Sequence, residues 1–321
     1  MERVFIGDVQ GCSLELEELV DKARRELGPD HSIWIAGDLL NRGPGNLHAL
    51  EIVRDLVDSG RGEFILGNHE IFTLSVALGL REIRPADSIG DVLGNANAAE
   101  WIDWLCARPL AVPGEIDGQP FVMLHAAAAP EWALGDVVEV AGKISERLSA
   151  SREEARAFLA SDASPGALRD ELDRLTRCRT VFASGAWSSE EPGPENRPWH
   201  AAWREHGHDY GIVYGHWARQ GLHVAAGLRG LDTGCVHHGR GRDGFLTAWL
   251  PESGLPRSGT AASEGAAAPK DGAAPADGAA RRPFDLPDHR FWQIPARQRY
   301  YNPEAAAAEH AAIVTSRANH Q

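Results

Sequence analysis

Residues 3–12, RVFIGDVQGC, set the pattern from which the rest of the chain can be read. A short run rich in β-branched and aromatic residues ends on Gly7 and then on a carboxylate, Asp8. The construction returns four times: 32–36 leads into Gly37 and Asp38, 63–66 into Gly67 and Asn68, 121–124 into His125, and 210–214 into Gly215 and His216. Strands buried on both faces read as such continuous apolar runs, and helical patterns over 14–26 and 47–58 separate the first three. Strand and helix in alternation predict a layered α/β fold. Ligands of open α/β sheets gather beyond the carboxyl ends of the strands, where all five polar residues would stand.

Composition narrows the functional classes. With 321 residues the chain is long enough for one α/β domain with layers on both faces of its sheets. A hydrophobic fraction of 43% and a charged fraction of 24% belong to an ordinary soluble protein. No apolar stretch is long enough to cross a bilayer, and MERVFIGDVQ at the start has no export signal, so a cytoplasmic protein is expected. Cys12, Cys106, Cys178 and Cys235 form no C-x-x-C pair and read as reduced thiols. A net charge of −14 opposes sequence-independent binding to nucleic acid. A phosphate-rich ligand would therefore have to be held locally.

The expected organisation is one domain over 1–300 with a mostly helical cap over about 131–205, where 141–149 and 152–159 have helical periodicity. A stretch of Ala, Gly, Pro and Ser over 254–283 reads as a flexible linker, and 301–321 as a tail. Strand-like runs at 244–250 and 289–294 flank the linker, which would make it an expanded hairpin loop. Trp101, Trp104 and Trp132 read as packing residues.

Two divalent cations a few ångströms apart need carboxylate, amide and imidazole ligands converging from separate loops, with a carboxylate shared between them. Asp8, Asp38, Asn68, His125 and His216 supply that set. A lone Gly-Asp pair reads equally as a helix N-cap and carries little by itself. The glycines permit a sharp turn and are expected to leave room for phosphate against the backbone.

Taken in order, GDVQGC at 7–12, GDLLNRGPGN at 37–46 and GNHE at 67–70 resemble the GD-x-HG, GD-x-x-x-RG and GNH[DE] motifs of the calcineurin-like metallophosphoesterases. YGHWARQG at 214–221 and GLDTGC at 230–235 resemble one branch of them, the symmetrical bis(5'-nucleosyl)-tetraphosphatases, and TRCR at 176–179 resembles an arginine-bearing segment of that branch. The resemblance implies a layered sandwich of central β-sheets flanked by helices. It implies one metal on Asp8, Gln10 and Asp38, and a second on Asp38, Asn68, His125 and His216. His69 would face the scissile phosphate, and Arg42, with Arg177 as a second candidate, would grip phosphate oxygens. Mn²⁺ is the first expectation for the metal, with Mg²⁺, Co²⁺ or Fe and Zn as further choices. The implied activity is symmetrical hydrolysis of diadenosine tetraphosphate to two ADP by water activated between the cations. A monomer with no membrane partner is the default expectation.

Two positions depart from the family pattern. Gln10 stands where imidazole is usual, so weak or water-mediated binding is expected there. Asn41 stands where the protein phosphatase branch has a carboxylate behind the GNH histidine; it reads either as a weaker partner of His69 or as a loop residue. Three alternatives share the metal set: a serine/threonine phosphoprotein phosphatase, an enzyme that removes nucleoside polyphosphate caps from RNA 5' ends, and a binding protein on a decayed scaffold. AAAAP at 126–130, where the phosphoprotein phosphatases have a Gly-Gly pair, opposes the first. His237 and His238 are left unassigned, and His31, His48, His200, His206, His208 and His223 read as surface or packing residues.

Overall fold

A computed structural model of the chain describes residues 1–252, 283–285 and 290–301. Apart from Pro283, the linker expected over 254–283 lies outside these residues, as does the tail beyond Tyr301. The first half runs β1 (Glu2–Ile6), α1 (Ser13–Leu27), β2 (His31–Ile35), α2 (Asn46–Asp58), β3 (Gly62–Phe64), α3 (Asn68–Ala77), α4 (Gly90–Leu93), α5 (Ala98–Cys106), β4 (Ala111–Ile116) and β5 (Gln119–Leu124). The second half follows with α6 (Leu134–Ser149), α7 (Arg152–Leu159), α8 (Leu168–Arg177), β6 (Thr180–Phe182), β7 (Trp187–Ser188), β8 (Asn196–Pro198), α9 (Trp199–Glu205), β9 (Gly211–Tyr214), β10 (His223–Ala225), β11 (Leu228–Gly230), β12 (Phe245–Trp249) and β13 (Phe291–Pro295).

The five ligand-bearing runs divide between two sheets. β13-β12-β1-β2-β3 form one, with β1, β2 and β3 parallel, and β10-β11-β9-β5-β4 form the other, with β5, β9 and β11 parallel. Period-two alternation decides which side each residue covers. Phe5, Phe121, Met123, Val213 and Trp249 meet in the core between the sheets, while Val4, Ile6, Ile33, Ile35, Val122, Leu124 and Ile212 join the larger core with the helices. Aromatic contacts close the inter-sheet layer: Phe5 and Phe121 lie 5.4 Å apart edge to face, and Trp249 and Phe284 5.0 Å apart. Parallel pairing of β1 with β2 and of β5 with β9 brings Asp8, Asp38, His125 and His216 to neighbouring strand ends.

The cap region is mostly helical, with one addition to the expectation. It holds α6 to α9, but also a three-stranded antiparallel sheet in the order β7-β6-β8. Its strands have two or three residues each, too few to show a period of two. The runs flanking the linker pair as neighbours, β12 with β13 antiparallel from Phe245↔Pro295 to Trp249↔Phe291. Trp101 and Trp104 are buried in the helical core and Trp132 packs against it. All four cysteines are free and buried. No helix among the described residues is long and apolar enough to cross a membrane.

Candidate metal centre

Every ligand predicted from a strand end arrives in one place. Asp38 Oδ1 lies 3.3 Å from His125 Nε2 and accepts the His69 backbone N–H at 2.8 Å. Its Oδ2 faces the other way, 3.5 Å from Gln10 Nε2 and 3.8 Å from His69 Nε2. The two oxygens of one carboxylate thus serve two sides, the arrangement a shared ligand requires. On the first side Asn68 Oδ1 lies 3.3 Å from His125 Nε2 and 2.8 Å from His216 Nδ1. Ligand atoms of Asp38, His125 and His216 all fall within 4.8 Å of one another.

Surrounding groups fix which ring nitrogen points inward. His125 Nδ1 donates to the Ala36 carbonyl at 2.7 Å, leaving Nε2 bare toward Asp38. His216 Nε2 donates to the Arg177 carbonyl at 3.0 Å, leaving Nδ1 bare toward Asn68. Burial alone would raise the Asp38 carboxyl; His125 and then His69 outweigh it and hold it well below the usual range. Burial pulls His216 far down, and His125 and Arg179 add to the effect, so its ring is neutral, as a ligand must be.

On the second side Asp8 Oδ1 accepts the His216 backbone N–H at 2.8 Å. Its Oδ2 is buried with no hydrogen-bond partner, and the same holds for Oδ2 of Asp232. Burial, then Asp232 and Asp38, push the Asp8 carboxyl well up; burial and Asp38 push Asp232 up to about 6. Two buried carboxylates facing each other with orphaned oxygens call for a shared proton or a cation. With imidazole, amide and carboxylate donors converging from both sides, the residues fit a pair of divalent cations. Asp232 carries no such signal in the sequence: the residues before it, Leu228, Arg229, Gly230 and Leu231, do not form the continuous apolar run that precedes the other candidates.

Glu70 was also unassigned, and it braces the centre. Its Oε2 accepts the backbone N–H of Asp38 at 2.9 Å and of Gly67 at 2.8 Å, and its Oε1 that of Leu40 at 3.0 Å. Six non-glycine residues among those described have positive φ, and five stand here: Gln10, Asp38, Asn41, Arg42 and His216. Strained backbone concentrated in this way is a mark of a functional site. The glycines have a role beyond the expected one. A Cβ on Gly67 would lie 2.2 Å from Asp38 Oδ1, and one on Gly215 2.1 Å from Asp8 Oδ1. They make room for the neighbouring loop's carboxylate.

Asn41 needs a correction. Its Nδ2 donates to Asp87 Oδ1 at 3.0 Å, and its Oδ1 accepts the backbone N–H of Arg42 at 2.8 Å and of Ser88 at 3.0 Å. The amide is committed to the loop, and His69 Nδ1 is buried without a partner among the described residues. Gln10 is in place but presents its N–H₂ to Asp38; half a turn of the amide would present the oxygen. Arg42 Nη1 is held by the Ala86 carbonyl at 2.9 Å and Asp87 at 2.8 Å, which leaves Nε and Nη2 for a ligand. Arg42, Asn68, His69 and Arg177 all line one cleft beside the centre. His237 lies near Arg42 and His69, whereas His238 Nδ1 accepts the Gly244 N–H at 3.1 Å and ties its own loop. His31, His208 and the His200–His223 pair pack or hydrogen-bond within the fold.

Residues 1–239 match the family model of the calcineurin-like phosphoesterases. A symmetrical bis(5'-nucleosyl)-tetraphosphatase of Chromohalobacter salexigens is 36% identical over 261 residues, 74% of this chain and 92% of that one. Those of Ralstonia nicotianae and Escherichia coli are each 34% identical, covering 73% and 74% of this chain and 86% and 90% of their own lengths. A crystal structure of a diadenosine tetraphosphatase candidate superposes with a TM-score of 0.51 at 21% identity over 78% of this chain and 88% of that one, a likeness of fold.

Proposed function

The chain belongs to the calcineurin-like phosphoesterases and, within them, to the symmetrical bis(5'-nucleosyl)-tetraphosphatases, and on that premise we propose that it hydrolyses diadenosine tetraphosphate at the central phosphoanhydride bond. One observation carries the reading: the carboxylate–imidazole cluster adjoins, through Asn68 and His69, a cleft lined by several guanidinium groups. Asp8, Gln10 and Asp38 would hold one cation, and Asp38, Asn68, His125 and His216 the other. When bound, the pair supplies acidified water and neutralisation of the phosphoryl oxygens.

The protein's own residues do the rest. Arg42, its Nη1 anchored on Ala86 and Asp87, offers Nε and Nη2 as a fork that orients one inner phosphate for in-line attack. Oxygen from water bonds to that phosphorus, the bond to the central bridging oxygen breaks, and the bridging oxygen departs on the other ADP with a proton. Burial lowers His69, so its ring is neutral and gives the departing oxygen an N–H hydrogen bond. No side chain needs to act as a nucleophile.

The donor set mixes hard oxygens with two imidazoles, and we assign Mn²⁺ to it, in a cytoplasmic monomer. RNA 5' ends carrying a nucleoside tetraphosphate cap contain the same bond and form the second substrate class of the proposal. Incubating the manganese-loaded protein with diadenosine tetraphosphate and separating the products by ion exchange tests it. ADP as sole nucleotide product is expected; ATP with AMP would contradict central cleavage.

A further inference from the structure

The cleft beside His69 carries more positive charge than one phosphate needs. Five guanidinium groups line it, those of Arg42, Arg81, Arg84, Arg169 and Arg177, against the carboxylates of Asp87 and Asp173. Two of the five are matched, Arg42 with Asp87 at 2.8 Å and Arg169 with Asp173 at 2.6 Å. The side chains of Arg81, Arg84 and Arg177 make no hydrogen bond or ion pair among the described residues. In a chain with 46 acidic residues and a net charge of −14, three unmatched guanidiniums at one cleft are not a random surface. Partial burial, then the like charges of Arg177 and Arg169, pull Arg81 below its usual range. Such repulsion is relieved by an anion that touches several of them at once.

The backbone holds this group in place. Arg81 and Arg84 sit on the connector between α3 and α4, which is latched at both ends: Arg156 Nε of α7 donates to the Leu78 carbonyl at 3.1 Å, and Asp87 Oδ1 takes the Asn41 and Arg42 donors. Asp87 Oδ2 also accepts the Arg84 backbone N–H at 2.9 Å, closing the turn that carries Arg84. Arg177 faces them from the last turn of α8, its carbonyl holding His216. The loop that carries Arg42 and the connector that carries Arg84 therefore share one carboxylate.

We propose that Arg81 and Arg84, facing Arg177, form a second anion subsite that holds the phosphates beyond the one under attack and selects a polyphosphate chain over a phosphomonoester or simple diester. This rests on the proposed function in one respect: central cleavage of a four-phosphate chain leaves two phosphates on each side of the broken bond. The subsite takes those on the departing side, next to His69. A phosphoprotein or a chromogenic ester has nothing to place there.

The test uses the full chain loaded with manganese and the double variant Arg81→Ala/Arg84→Ala; both residues are exposed, and a melting curve checks the fold. Isothermal titration with inorganic tripolyphosphate, with Mn²⁺ in excess, should show Kd raised about tenfold or more, the scale of losing charged hydrogen bonds. The ratio of kcat/KM for diadenosine tetraphosphate to that for bis(p-nitrophenyl) phosphate should fall about as far, through KM rather than kcat. Arg81→Lys/Arg84→Lys should recover part of both. An unchanged tripolyphosphate Kd, or an equal fall on the two substrates, would overturn the proposal. Should the wild-type protein leave diadenosine tetraphosphate intact, the proposed function falls while the tripolyphosphate constant still decides the subsite.

Discussion

Single atoms separate holding a metal from holding a fold. Asp38 turns one oxygen to each side of the centre, and Glu70 stands behind it without facing the cleft, accepting three backbone N–H groups. Asp38→Asn removes the shared charge and should give the largest loss of turnover in the ligand series. Glu70→Ala leaves every ligand in place but frees the loops, so Mn²⁺ affinity should drop about 10- to 100-fold while turnover at saturating metal largely recovers. Metal titration followed by activity separates the two. Away from the centre, His200 and His223 lie ring to ring at 4.3 Å; burial, then His223 and Arg204, push His200 down to about 3, and burial, then Arg204 and Arg229, push His223 down to about 4. A depressed histidine contributes stability above its unfolded pKa, near 6.5, and that contribution is lost as pH falls toward 4. Each group can contribute at most about 1.4 kcal/mol per pH unit. Melting temperature should fall from pH 7 to pH 5, and His200→Gln should flatten the fall; an unaltered slope would show that the pair does not carry it.

Local patterns made the ligand-bearing strands readable, because an apolar run, a turn and a polar residue lie within about eight positions of sequence. Contacts closed through space were not readable in the same way. Glu70 reaches Asp38 across 32 residues, Asn41 turns to Asp87 across 46, and neither partner is marked by spacing. Asp232 stands two residues past the end of β11, as Asp8 stands two past the end of β1, but β11 has only three residues. The same shortness hid the β7-β6-β8 sheet. Glycine roles also emerge at this scale. Gly67→Ala puts a methyl group on Asp38 at the start of α3, whereas Gly142 within α6 has nothing within 4 Å of its added Cβ. Gly67→Ala should abolish metal-dependent activity, and Gly142→Ala should stabilise the protein by about 0.5–1 kcal/mol in a denaturant titration. Similar effects from both would contradict the close approach at Gly67.

Two sheets packed through one aromatic layer turn five separate loops into one rigid rim. A chain with net charge −14 can act on a polyanion if the attraction is local, and the guanidiniums gathered at one cleft beside the metal-ligand candidates supply it within a screening length of about 8 Å. The fold class and the five strand ends with the polar residues that converge from them could be anticipated from sequence; the arginines of the α3–α4 connector could not, since only the folded cap faces them toward His69. Anomalous diffraction from crystals grown with Mn²⁺ addresses the centre itself. Two peaks should appear, one among Asp38, Asn68, His125 and His216, the other between Asp38 and Asp8, with density linking both to the Asp38 carboxylate. A single peak, or two that share no ligand, would contradict a paired site built on Asp38.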